Sequence, residues 1–176
     1  MIRKNFLLII SLLLISSWTI NAQDFDYVGA KKCKMCHNKP AKGAQYKSWS
    51  EGPHANAMKT LSSEAALAIA KKKGIENPAT DPSCIKCHST VGGTNPDLHT
   101  ATITIDEGVS CESCHGPGSA YKSKTIMSDQ AKSIENGLIV PTEKLCITCH
   151  NAESPTFKGF NFEEYLAKIS HKDPTL

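Results

Sequence analysis

Aromatic side chains are scarce, with five Phe, four Tyr and two Trp in 176 residues. So few rings cannot fill the interior of a chain this long, and some other bulky group has to supply the core. Long hydrophobic runs are also missing. Outside residues 6–15, nothing approaches the roughly 20 apolar residues that cross a bilayer. Neither charge dominates, since 20 Lys plus Arg stand against 17 Asp plus Glu for a formal net of +3, part of it from Arg3 and Lys4. Such a balance gives nucleic acid no footing, and Lys31-Lys32 and Lys71-Lys72-Lys73 read as solvated surface or as a docking patch. Finally, no cysteine stands alone: all eight fall in four short units of one pattern.

Those units are Cys33-Lys34-Met35-Cys36-His37, Cys84-Ile85-Lys86-Cys87-His88, Cys111-Glu112-Ser113-Cys114-His115 and Cys146-Ile147-Thr148-Cys149-His150. Two thiols three positions apart reach the two vinyl groups of one porphyrin. The histidine that follows then binds the iron from the near face, which is the attachment pattern of c-type haem. Thioredoxin-like redox sites occur singly and need no histidine after the second cysteine. Disulfide scaffolds do not place histidine behind every second cysteine either. The sequence therefore predicts four covalent haems, held by Cys33, Cys36, Cys84, Cys87, Cys111, Cys114, Cys146 and Cys149, with His37, His88, His115 and His150 as proximal ligands.

Residues 1–22 read as a secretory leader: a cationic start, a ten-residue apolar stretch broken by Ser11, and Ala22 before Gln23. No cysteine follows the cut, which argues against a lipid anchor, and no stable membrane anchor is expected after cleavage. Residues 23–176 make one domain by length. With roughly 40 residues for each haem, the porphyrins have to be the core. The expected fold is a mainly α, loop-rich multihaem cytochrome with a haem-built core and little or short β structure, largely unfolded without its cofactors.

Several element boundaries follow from local chemistry. Pro53 suits the first position of a helix carrying His54, Met58 and Leu61. Ser63 caps a helix running to Lys73 and closed by Gly74, and Asp81-Pro82 opens the helix of the second unit. Residues 91–96 are rich in turn formers, and residues 100–105 alternate β-branched side chains as a strand does. Gly116-Pro117-Gly118 stops the third unit's helix. A helix over residues 129–136 ends at Gly137, Thr142 precedes the fourth unit, and Asn161-Phe162-Glu163-Glu164 reads as a capping box for a last helix.

Seven histidines are present, and four are proximal. Two imidazoles on each of four irons would take eight, so at least one iron has another ligand or stays open. His54 is the leading distal candidate, followed by His171 at the end of an amphipathic helix and His99 in a loop. Met127 is a candidate thioether ligand.

With those residues in hand, the chain resembles the tetrahaem cytochrome c-554 family. The likeness rests on Gly29-Ala30-Lys31-Lys32-Cys33, on Trp49 followed by His54-Ala55-Asn56-Ala57-Met58, and on Gly108-Val109-Ser110 through Gly116-Pro117-Gly118. It implies closely packed haem pairs, three irons with two histidines each, and a five-coordinate iron at the second unit. His54 matches the family's distal histidine after the tryptophan, and His171 its C-terminal one. The family has a further distal histidine soon after its Cys-His-Gly-Pro-Gly segment, and residues 119–145 here contain none. That departure puts the sixth ligand of the fourth haem in question, with Met127 or His99 as replacements.

The expected function is that of a periplasmic carrier of single electrons between a protein donor and a protein acceptor. Two alternatives are a redox enzyme that turns over a small nitrogen or sulfur compound at one open iron, and a haem subunit of a larger redox assembly. No lysine replaces a proximal histidine, and no dedicated catalytic signature stands beside the units.

Overall fold

The computed structural model describes residues 25–174, so the predicted leader lies outside the described residues. Among the described residues eleven α-helices succeed one another: α1 (Ala30–His37), α2 (Gln45–Glu51), α3 (Ala57–Thr60), α4 (Glu64–Lys73), α5 (Pro82–His88), α6 (Thr90–Gly93), α7 (Cys111–His115), α8 (Lys124–Met127), α9 (Gln130–Glu135), α10 (Glu143–Cys146) and α11 (Phe162–Ile169). Most are one or two turns long, as expected of a loop-rich fold. Among the described residues no helix is long and apolar enough to cross a membrane.

Caps set the helix ends as the sequence suggests. Ser63 accepts from Ala66 N at 3.2 Å and Gly74 closes α4 in the left-handed region at φ 70°. Asp81 accepts from Ser83 N, Asp129 from Lys132 N and Asn161 from Glu164 N. The capping box at Asn161 is only half made, because Glu164 reaches forward to Lys168. Thr142 occupies the N-cap position of α10 without a side-chain bond, and that helix ends at Cys146.

Three expectations fail locally, each for a visible reason. Residues 100–105 form no strand. The hydroxyls of Thr100 and Thr102 donate to Tyr27 O (2.9 Å) and Val28 O (2.7 Å), so side chains replace a backbone ladder. Among the described residues only an isolated parallel bridge, Tyr27 with His99, remains. Residues 90–93 are helical instead of a loose loop. Gly92 and Gly93 are there for close approach to α5, where an added Cβ would meet Ile85 O at 2.5 Å and Lys86 O at 2.6 Å. The helix expected from Pro53 starts only at Ala57, because His54 O is taken by Ala57 N (3.2 Å) and Val109 N (3.0 Å). The i to i+4 ladder cannot pass through that carbonyl.

The protein interior is small and polar. Val28, Ala30, Leu61, Ala70, Ile103 and Tyr121 are its buried apolar members, while the bulkiest side chain below 2 % exposure is Glu112. Around it Thr90 Oγ1 pairs with Ser110 Oγ (2.9 Å) and Ser113 Oγ (2.7 Å) and accepts from Ser110 N (2.8 Å). This knot ties α6 to the start of α7 and so fixes the second unit relative to the third. A core with so few buried apolar side chains and so many hydrogen bonds specifies geometry but supplies little hydrophobic stabilisation.

Candidate haem-binding site

Each of the four units ends in a histidine carried by a short helix or turn. The third is the most firmly held, through Glu112 between its two cysteines. The carboxylate accepts from Val28 N (2.9 and 3.1 Å), Gly29 N (2.7 Å) and Gly118 N (2.7 Å). It thereby joins the lead-in to α1, the third unit and the loop after it. Glu112 is thus a structural clamp. Glycine is needed at position 29, which has φ 82° and no room for a Cβ between Thr102 O and Glu107 Oε1.

Glu107 makes a second contact with the same helix end, accepting from Ala30 N at 2.8 Å through Oε2. Its Oε1 is buried without a partner. Burial pushes the Glu107 carboxyl above its ordinary value and the charge of Glu112 adds to this, while Ala30 N–H and Lys31 act the other way. The folded-state pKa is therefore above the unfolded one. Stability from this group is full below the unfolded pKa and is lost as pH rises through the folded one. Replacing Glu107 by Gln should flatten the fall of melting temperature across that window in the haem-loaded protein. An unchanged slope would show that another group sets it.

None of the eight cysteines is paired in a disulfide. Units distant in sequence bring their thiols together. Cys111 hydrogen-bonds Cys33, lowering the Cys33 pKa and raising its own. Cys87 is pushed up to about 11 by burial and then by the charge of Cys149, and Cys114 to about 11 by burial and then by Cys146 and Cys149. Contacts run the same way, with Glu112 of the third unit on the start of α1 and His54 between Val109 before the third unit and His150 of the fourth, so the first unit lies near the third, the third near the fourth, and the fourth near the second. Lys86 in the second unit also bridges to Glu153 after the fourth. Both groups are exposed, so this pair is strongly screened.

Three of the histidines are anchored through one ring nitrogen. His88 Nδ1 donates to Ala57 O (2.8 Å), His115 Nδ1 to Ile139 O (3.3 Å) and His171 Nδ1 to Ile169 O (2.7 Å). A carbonyl on Nδ1 fixes the ring and the tautomer, leaving the Nε2 lone pair for a metal. Burial lowers the pKa of His54, His115 and His150, favouring the neutral form that coordinates. The His54 and His150 rings lie with centroids 6.1 Å apart, and those of His115 and His171 6.2 Å apart. Two imidazoles on opposite sides of one iron, with metal–nitrogen bonds of about 2 Å, have centroids about 6 Å apart. His150 is further walled by Phe160, stacked at 5.0 Å, and by Tyr165 at 5.7 Å.

Of the remaining candidates, His99 has Nε2 2.7 Å from Thr94 Oγ1 and its ring edge against Tyr27. Met127 ends α8, half-buried, with its N–H on Ser123 O. His37 lies near enough to His115 to lower that group's pKa. Sequence reasoning missed the carbonyls of Ala57, Ile139 and Ile169, because a backbone acceptor leaves no residue-type signal. Trp49 was noted only for its place in a motif. Its Nε1–H donates to Val109 O (2.9 Å) and holds the His54 turn against the third unit.

Cysteine pairs outside any disulfide, each followed by a histidine, with the His88 and His115 rings anchored through Nδ1, fit covalent haem and define a c-type cytochrome. The family described as cytochrome c554 and c-prime matches residues 32–116. Cytochrome c-554 of Nitrosomonas europaea is 34% identical over 158 residues, covering 78% of this chain and 63% of the relative. The chain belongs to the cytochrome c-554 family. It spans just under two thirds of the length of that relative. No solved structure matches.

Proposed function

We propose that this chain is an exported tetrahaem electron carrier, working in the periplasm between a protein donor and a protein acceptor. The observation that carries the reading is the packing of units distant in sequence, which brings their thiols near one another: Glu112 of the third accepts from Val28 N and Gly29 N at the start of α1, His54 accepts from Val109 N before the third and faces His150 of the fourth, and Lys86 of the second bridges to Glu153 after the fourth. Attachment at those thiols supports a single row in the order first, third, fourth, second. Each haem, when bound, supplies one-electron chemistry at its iron. The chain's own part is to set the spacing through the thiols, and to tune each site through axial histidine, burial and nearby charge.

Within this reading His54 and His150 serve the fourth unit, and His115 and His171 the third. The question over the fourth haem's sixth ligand then moves to the first unit. The layout of residues 1–22 supports export, and residues 23–176 then act as one haem-bearing domain. Intact mass of the denatured mature protein should correspond to four attached haems, and a potentiometric titration should take up four electrons reversibly. Fewer than four haems in matured protein, or irreversible uptake, would refute the carrier as described.

A further inference from the structure

The seven histidines can be assigned by which rings face each other and by the nitrogen that a hydrogen-bonded ring leaves free. His54 with His150 and His115 with His171 use four of them in two facing pairs. His37 and His88 are the proximal residues of the first and second units. One imidazole, His99, is then left for two irons.

His99 is already committed. Thr94 Oγ1 lies 2.6 Å from Thr90 O and donates its only proton there. The same oxygen is 2.7 Å from His99 Nε2, so it accepts there and the proton of that contact belongs to His99. Nε2, the nitrogen left open in His88, His115 and His171, is thus the protonated one in His99. Its backbone is fixed as well: Tyr27 N donates to Leu98 O (2.8 Å) and Thr100 N to Tyr27 O (3.1 Å). Releasing His99 would break the seam that holds the lead-in of α1, along which Glu112 and Glu107 are anchored.

Resting on the tetrahaem reading above, we infer that two irons in each chain, those of the first and second units, lack a second imidazole, and that the first is a binding site for a small iron ligand of the cyanide or nitric oxide class. The family resemblance implies an open iron at the second unit alone. The added site comes from this chain's own departure, the missing histidine in residues 119–145. In the order first, third, fourth, second, the two open irons stand at the two ends of the row, and the two histidine-paired units lie between them. A small ligand would therefore reach the termini where electrons enter and leave, and the inner pair would be closed to it.

The test is a cyanide titration of the oxidised protein, read by absorbance and electron paramagnetic resonance, with haem content measured by mass on the same sample. Two cyanides for four haems are expected, rising to three in His54→Ala and in His171→Ala and staying at two in His99→Ala. Four haems with one cyanide or none would overturn the inference while leaving the carrier intact. One cyanide in wild type and two in Met127→Ala or His99→Ala would overturn it by identifying the side chain that caps the first iron. Fewer than four haems would overturn the tetrahaem reading on which it rests.

Discussion

Glu112→Ala should lower the melting temperature of the haem-loaded protein by roughly 10 °C, the largest loss expected from any single side chain other than the attachment cysteines and the histidines. The side chain is below 2 % exposed and receives three backbone N–H groups, from Val28, Gly29 and Gly118. Truncation leaves all three donors buried without an acceptor, at about 1–3 kcal/mol each, and adds a cavity. A total of about 4 kcal/mol is at the upper end for one substitution. For a domain of this size each kcal/mol shifts the midpoint by roughly 2–4 °C. Glu112→Gln should fall between, because the amide keeps one acceptor oxygen but turns a donor toward the others. Loss of far-ultraviolet circular dichroism on heating measures both. A midpoint within about 2 °C of wild type for Glu112→Ala would mean that the three segments are held by something other than this carboxylate.

Much of the fold is legible because the helices begin and end on local chemistry. Ser63, Asp81, Asp129 and Asn161 each bind an N–H within the first turn, and Gly74 and Gly116 leave their helices at positive φ. Such signals act over a few residues, so they can be read from a few residues. The failures share the opposite property. The threonines of residues 100–105 look like a strand until their hydroxyls are seen to bind carbonyls more than 70 positions away. The turn at His54 depends on Val109, and the clamp at Glu112 depends on Val28 and Gly29. In a chain with so small an apolar core, these long-range polar contacts decide the local geometry.

The site divides in the same way. The eight cysteines and four histidines proposed for attachment and proximal ligation are read from spacing within five residues, and the pattern needs no tertiary information. Which imidazole faces which is a tertiary fact. His54 precedes all but the first unit, yet it stands beside His150 of the last. A histidine count limits the number of pairs without assigning them. The nitrogen that each ring leaves free, visible only through its hydrogen bonds, separates His171 from His99.

Replacing both His54 and His171 by Ala should convert two of the four irons from low to high spin, where either substitution alone converts one further iron relative to wild type. The argument is one of independence. His54 faces His150 and His171 faces His115, so the two changes touch different units and share no histidine. Effects at sites without common partners add. None of the four haems should be lost, because neither residue is an attachment thiol or a proximal ligand. Loss of an imidazole should also raise the potential of the affected iron, since a second strong donor favours the ferric state. Electron paramagnetic resonance of the oxidised proteins counts the spin states, and a redox titration gives the potentials. If the double variant gained only one high-spin iron, both histidines would serve the same unit. If His54→Ala matched wild type in spin population, its place beside His150 would be packing alone, and the fourth iron would draw its second ligand from elsewhere.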